Sequence, residues 1–174
     1  KYREWQERWM REGVIFHKDD YRGLAELFFK MYPDNFIHDG GHKWYYYKEG
    51  MWMLDSKQLQ LKYLINGEFV AYIRDTLIPN YVERKISESI ISDLKTVVKA
   101  LPKSNNKSNL IEAICYYYMD NQLSSKLDAN KFLLNTANCL IDFSNNSARN
   151  TKVHIRDPMP EDFITKRIPV GYNR

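Results

Sequence analysis

Residues 42–54 read HKWYYYKEGMWML, two aromatic runs, His42 to Tyr47 and Met51 to Leu54, on either side of Lys48-Glu49-Gly50. Aromatic side chains suit the pleated, half-buried surface of a sheet, and the charged pair followed by glycine suits a turn. The stretch therefore predicts a β-hairpin, with Trp44 and Trp52 meeting across it. Upstream, Leu24, Leu27, Phe28 and Met31 recur at helical spacing. Asp19 and Asp20 precede them, at the end where the helix dipole favours anions, and Pro33 stops the run. Downstream, Leu61, Leu64, Ile65, Phe69, Tyr72, Ile73 and Leu77 predict a helix with a candidate break at Asn66-Gly67 and an end at Pro79. Ile86, Ile90, Leu94, Val97 and Leu101 form another stripe, closed by Pro102 and a polar loop from Lys103 to Asn109. Ile111, Ile114, Cys115 and Tyr118 make a shorter helix.

After Asp128 the pattern changes. Ala137 to Phe143 reads as a strand, Ser144 to Asn150 as a polar turn, and Thr151 to Arg156 as a strand that alternates by side chain. Pro158 and Pro160 open a short turn, and Ile164 to Tyr172 reads as extended. The predicted class is α+β: a mostly helical middle, an aromatic β-hairpin near the N-terminus and a small β element at the C-terminus. The expected organisation is a lead-in over 1–17 and one domain over 18–173, with a β-rich subregion at 128–173.

With 174 residues, 44% of them hydrophobic and 28% charged, the chain can bury a core without a disulfide or metal staple, which excludes wholesale disorder. Cys115 and Cys139 lack Cys-x-x-Cys spacing and read as free thiols of a reducing, intracellular compartment. No apolar run approaches the roughly 20 residues of a membrane span, and the charged, aromatic start is unlike a signal peptide, so no membrane partner is expected. A first residue of Lys1 rather than Met leads us to expect a piece of something longer. The net charge of +4 is compatible with a polyanionic partner without demonstrating one.

Several chemistries are missing. No glycine is followed by lysine, so there is no P-loop, and no two acidic residues lie two positions apart as a two-metal strand site requires. His-Glu-x-x-His and Gly-x-Ser-x-Gly are also lacking. No catalytic residue and no metal is therefore assigned. His38 and His42, with Asp39 between them, are the weakest candidate for a metal-dependent enzyme, since the two glycines make that stretch a turn. Trp44, Tyr45, Tyr46, Tyr47, Met51 and Trp52 suit either a base-stacking platform or plain packing, and packing is the better expectation. Lys152, His154 and Arg156 share a strand face, with Arg149 before them and Lys166 and Arg167 close in sequence. They form a candidate DNA-binding strip, against the ordinary reading of a solvated strand face.

Leu133-Leu134-Asn135, Asn138-Cys139-Leu140-Ile141-Asp142-Phe143, His154, Pro158, Glu161-Asp162-Phe163-Ile164-Thr165, Ile168-Pro169-Val170 and Tyr172 carry a resemblance. Together with the aromatic turn at Trp44 to Trp52, they resemble the conserved domain that precedes the superfamily-three helicase in poxvirus-type viral helicase-primases and in phage and plasmid primases. The resemblance spans roughly Asp20 to Asn173 and implies structural roles for Trp44, Trp52, Asn138, Asp142, Thr165 and Tyr172. Cys139 departs from it, because the family usually has glycine there. The resemblance implies a noncatalytic connecting or collar domain that supports oligomer assembly and DNA guidance. ATP and Mg are then expected for the parent helicase and none in this fragment. The implied partners are DNA, a ring-forming homo-oligomer, and the primase and helicase domains of the same polypeptide. The implied location is the host-cell cytoplasm or a viral replication site. The alternative is a protein-interaction adaptor domain with no DNA contact.

Overall fold

The computed structural model describes residues 21–144 and 153–172. Asp19, Asp20, Arg149, Lys152 and most of the expected turn Ser144 to Asn150 lie outside the described residues. The class is α+β, as the sequence predicts. Two compact units make up the chain, each from two segments: one from residues up to Pro33 with Lys57–Tyr118, the other from Asp34–Ser56 with Met119 onward. The first is helical and the second carries both sheets.

In the helical unit α1 (Arg22–Met31) buries Leu24, Ala25, Leu27 and Phe28. It ends before Pro33, as expected, and the Tyr32 carbonyl there accepts the Tyr118 hydroxyl at 2.6 Å. From Leu59 to Glu83 the chain is one unbroken helical run: α2 (Leu59–Leu64), a π segment (Ile65–Phe69), α3 (Val70–Tyr72), a second π segment (Ile73–Leu77) and α4 (Ile78–Glu83). The reason is legible in the buried side chains. Leu61, Ile65, Phe69, Ile73, Leu77 and Tyr81 are all at most 1% exposed and follow one another at intervals of four. An α-helix turns 100° per residue, so each such step drifts by about 40° and five steps by about 200°. A pure α-helix would carry this row round to its far side. The wider π turns take up the drift and keep all six residues facing the core.

The same geometry corrects two expectations. Asn66-Gly67 does not break the helix, because it sits on the exposed side of the first π segment. Pro79 does not end it. It falls in the first turn of α4, directly after the second π segment, where the backbone ladder is already interrupted and a missing N–H costs little. The run ends instead at Lys85, in the left-handed region at φ 56. There Ile86 N donates to Tyr81 O at 3.0 Å and Lys85 N to Val82 O at 3.1 Å, the paired bonds of a Schellman end. Next come α5 (Glu88–Ala100), which buries Ile91, Leu94 and Val97, and α6 (Ser104–Tyr118), which buries Leu110, Ile111, Ile114 and Tyr118. Most of the expected loop Lys103 to Asn109 is thus the opening of α6. Its polarity reports a solvated helix end, and Asn106 Nδ2 ties that end down by donating to Ala100 O at 3.1 Å.

The second unit opens with β1 (Phe36–His38), β2 (Trp44–Lys48) and β3 (Met51–Leu54), an antiparallel sheet in that order. Lys48 pairs with Met51, so the predicted hairpin closes on the two residues Glu49 and Gly50, at φ 51 and 79. Two positive φ angles are what a type I′ turn requires and what matches the twist of the strands. The expected meeting of Trp44 and Trp52 does not occur. Trp52 stands opposite Tyr47, and alternation puts Trp44 on the other face, against Phe36 and His38. Both indoles are buried, at 2% and 4% exposure, one on each face of the sheet.

After α7 (Leu123–Lys126) comes a second antiparallel sheet: β4 (Leu133–Asn135), β5 (Leu140–Asp142) and β6 (His154–Arg156). The sequence reading missed β4 and made β5 too long, because the turn Thr136–Cys139 is held by a side chain. Thr136 Oγ1 donates to Cys139 O at 2.9 Å. Cys139 stays outside the positive-φ region, so this turn does not need the glycine usual in the family. Ile164 to Tyr172 runs along the unit without joining a sheet, with Trp52 N donating to Ile164 O at 2.7 Å and Ala137 N to Val170 O at 3.1 Å. Among the described residues no helix is long and apolar enough to cross a membrane.

Candidate functional site

The second unit gathers most of the residues singled out from sequence. Trp52 Nε1 donates to Pro160 O at 2.8 Å, which pins the hairpin to the turn that follows β6. Asn138 makes a two-sided bond with the backbone of Tyr172: Nδ2 donates to Tyr172 O at 3.0 Å, and Oδ1 accepts from Tyr172 N at 2.8 Å. Asp142 Oδ1 accepts from Ser144 N at 2.8 Å and closes the end of β5. Thr165 donates its N–H at 2.8 Å and its hydroxyl to the two oxygens of Asp128. Burial would push the Asp128 carboxyl up, but the Thr165 bonds and the Lys166 charge hold it below the usual range.

The basic residues fall on two edges of the second sheet. His154 and Arg156 lie on β6, while Lys166 and Arg167 lie in the segment beside the outer edge of β4; Lys152 is outside the described residues. Arg156 is committed internally: its guanidinium grips both oxygens of Asp162, with Nη1 to Oδ2 at 2.7 Å, which raises its own pKa further. Arg167 donates to Glu49 O and to Glu49 Oε2, both at 3.2 Å, and so braces the hairpin turn. Lys166 is 85% exposed, with Nζ 3.6 Å from Asp128, and His154 is exposed. Lys166 and His154 are therefore the members that face solvent.

The aromatic stretch is packed rather than displayed. Trp44 and Trp52 are buried and Tyr45, Tyr46 and Tyr47 half-buried. The Tyr47 hydroxyl is buried without a hydrogen-bond partner among the described residues. Burial, then the charges of Asp162 and Glu161, push it up to about 12. At the other candidate, His38 Nδ1 accepts from Gly40 N at 3.1 Å, and Asp39 Oδ1 accepts from Gly41 N and Lys43 N at 2.9 and 3.0 Å. These atoms build the turn. Among the described residues no group of three His, Cys, Asp or Glu is placed to hold a metal.

His38 carries a pH prediction. Burial lowers its pKa below 6.5 against the pull of Asp39, so the native state favours the neutral ring whose Nδ1 accepts from Gly40. The unfolded chain then binds the proton more readily, and stability should fall as pH drops below about 6.5, levelling off under the native pKa. Thermal unfolding between pH 7 and pH 5 checks this. Midpoints that stay level in the wild type, or that fall equally in His38→Gln, refute it.

The family described as D5 N terminal like matches residues 25–174. The chain belongs to the D5 N terminal like family. That family is the N-terminal domain of D5-like viral helicase-primases, as the resemblance implied from Leu133-Leu134-Asn135 to Tyr172. No curated protein matches the sequence. The chain is thus a helicase-primase-related replication domain. In this D5 N terminal like domain the sequence reading quoted Asn135 only as the end of the Leu133-Leu134-Asn135 motif, without a role, and Asp128 only as the point where the pattern changes. Asn135 is 5% exposed, and Nδ2 donates to Gly50 O at 3.2 Å and to Lys166 O at 3.3 Å. An asparagine ending the apolar pair Leu133-Leu134 was the available signal, since a polar residue in phase with a buried strand must bond to something.

Proposed function

We propose that this chain is a noncatalytic connecting or collar domain of a helicase-primase, which supports oligomer assembly and guides DNA for ATP-dependent unwinding performed elsewhere in the polypeptide. The observation that carries this reading is the family match over residues 25–174. The missing phosphate-binding loop and the net charge of +4 are in keeping with it. ATP and Mg belong to the parent helicase on this reading, as do the primase partner and a ring of identical subunits. DNA contact falls to the strip Lys152, His154, Arg156, Lys166 and Arg167, with Lys166 and His154 the solvent-facing members of its described part.

Fluorescence anisotropy with labelled DNA at several salt concentrations tests the DNA contact. Lys166→Glu should weaken binding alike for all sequences and reduce the slope of log affinity against log salt by about one. Arg156→Glu is the wrong probe, because it breaks the Asp162 pair and tests the fold. Affinity unchanged in a Lys166→Glu/His154→Glu double variant would sink the DNA contact and favour the adaptor alternative.

A further inference from the structure

Asp93 and Glu112 bound the stretch Leu94 to Ile111, which holds four lysines and no carboxylate. The lysines fall at every fourth position, Lys95, Lys99, Lys103 and Lys107. Their charge equals the whole net charge of +4, so the rest of the chain is balanced. Lys95 and Lys99 lie on α5, about 6 Å apart along its axis and about 40° apart around it. They stand on the side away from buried Leu94 and Val97. Lys103 N donates to Ala100 O at 2.9 Å and Lys107 N to Lys103 O at 3.2 Å, which carries the row round the turn into α6. Lys95, Lys99 and Lys103 are exposed and Lys107 is half-buried. None of the four has a carboxylate within ion-pair distance among the described residues. Four cations of the second unit differ: Lys126, Arg156, Lys166 and Arg167 sit beside Asp120, Asp162, Asp128 and Glu49. On α5 itself the two carboxylates are remote. Asp93 is half-buried and stands at least about 120° round the helix from Lys95 and Lys99, and Glu88 is about 10 Å from Lys95 along the axis. Like charges at i and i+4 destabilise a helix, so the row is a cost to the fold that a bound polyanion removes.

We propose that this face of α5 and its turn into α6 holds the phosphate backbone of duplex DNA, a contact additional to the one at Lys166 and His154. The inference rests on the DNA reading above and names where the helical unit takes part in it. Duplex DNA carries one negative charge per about 1.7 Å of its axis, so lysines about 6 Å apart each meet a phosphate of their own. Ser92, Asn105 and Asn109 are exposed, and their side chains donate to no group among the described residues, so they add phosphate donors beside the row. No residue from Leu94 to Ile111 is aromatic, and the row offers bases nothing to stack on. That favours a duplex, whose bases stay stacked inside, over a single strand, which takes stacking faces as well as charge. An even row of cations also suits a regular polyanion better than the uneven charges of an acidic protein surface.

Anisotropy of the whole chain with a short labelled duplex of mixed sequence, at several salt concentrations, tests the proposal. The triple variant Lys95→Gln/Lys99→Gln/Lys103→Gln should reduce the slope of log affinity against log salt by about 2.7, or about 0.9 for each lysine. Its unfolding midpoint should hold or rise, because the three side chains are exposed and carry no ion pair among the described residues. Lys95→Arg/Lys99→Arg/Lys103→Arg should keep the wild-type slope. The wild type should also bind the duplex more tightly than either of its strands at equal phosphate concentration. A wild-type slope in the glutamine variant overturns the α5 proposal and leaves the DNA reading standing, whereas no binding of duplex or strand by the wild type overturns both. Tighter binding of the single strand overturns the duplex in favour of unwound DNA. Displacement of the duplex by polyglutamate at equal charge concentration overturns it in favour of an acidic protein.

Discussion

Truncating Phe69 to alanine is expected to destabilise the helical unit by about 3–5 kcal/mol, the range for removing a fully buried phenyl ring. Phe69 is 0% exposed and closes the first π segment, where the row of buried residues is brought back towards the core. Its ring meets Phe28 of α1 edge-on at 5.2 Å and 77°, and Phe28 meets Tyr118 of α6 at 6.4 Å and 74°. The three rings join three segments far apart in sequence, so the cavity left at Phe69 borders side chains that cannot all collapse into it. Urea unfolding of the variant measures the loss. A double-mutant cycle with Phe28→Ala should return a coupling of about 0.5–1.5 kcal/mol, the worth of an aromatic pair beyond its buried area. A loss under about 1.5 kcal/mol would show that α1 does not depend on this ring and that the four-residue row is packed loosely.

That row also shows what the sequence could and could not disclose. The stripe from Leu61 to Leu77 was visible as apolar and helical, and the hairpin at Trp44 to Trp52 was visible down to its turn. What escaped was the period: intervals of four resemble ordinary helical spacing until five of them are added together, and only then do they demand π segments. Gly67 and Pro79 were read by their local preferences, which tertiary burial of Phe69 and Ile73 on one side and Leu77 and Tyr81 on the other overrides. The loop expected over Lys103 to Asn109 failed for a related reason, since polarity marks solvent and not shape. At the candidate site the family residues were legible as a pattern, but their partners were not. Nothing in the spacing of Arg156 and Asp162, or of Arg167 and Glu49, says that these cations are held by carboxylates. Such pairing is set by which strands adjoin, and residues 34–56 and 119–174 form one unit across an intervening helical segment.

The joint between those two segments gives the second large expected effect. Gly50→Ala should destabilise the second unit by about 2–4 kcal/mol, from two separable causes. Gly50 sits at φ 79, where a side chain crowds its own carbonyl, and a Cβ there would stand 2.2 Å from Cγ of Pro158. The turn has little freedom to move away. Its carbonyls are held by Asn135 Nδ2 at Gly50 O and by Arg167 Nη1 at Glu49 O, so yielding at Gly50 would loosen bonds that also position Lys166. Adding Pro158→Ala to Gly50→Ala removes the 2.2 Å contact, leaves Pro158 Cβ at 3.1 Å and keeps the backbone strain, and it should recover about half of the loss. If the pair is no better than Gly50→Ala alone, the backbone conformation carries the whole cost. If Gly50→Ala unfolds at the wild-type urea midpoint, the turn is not the joint between the hairpin and the C-terminal segment.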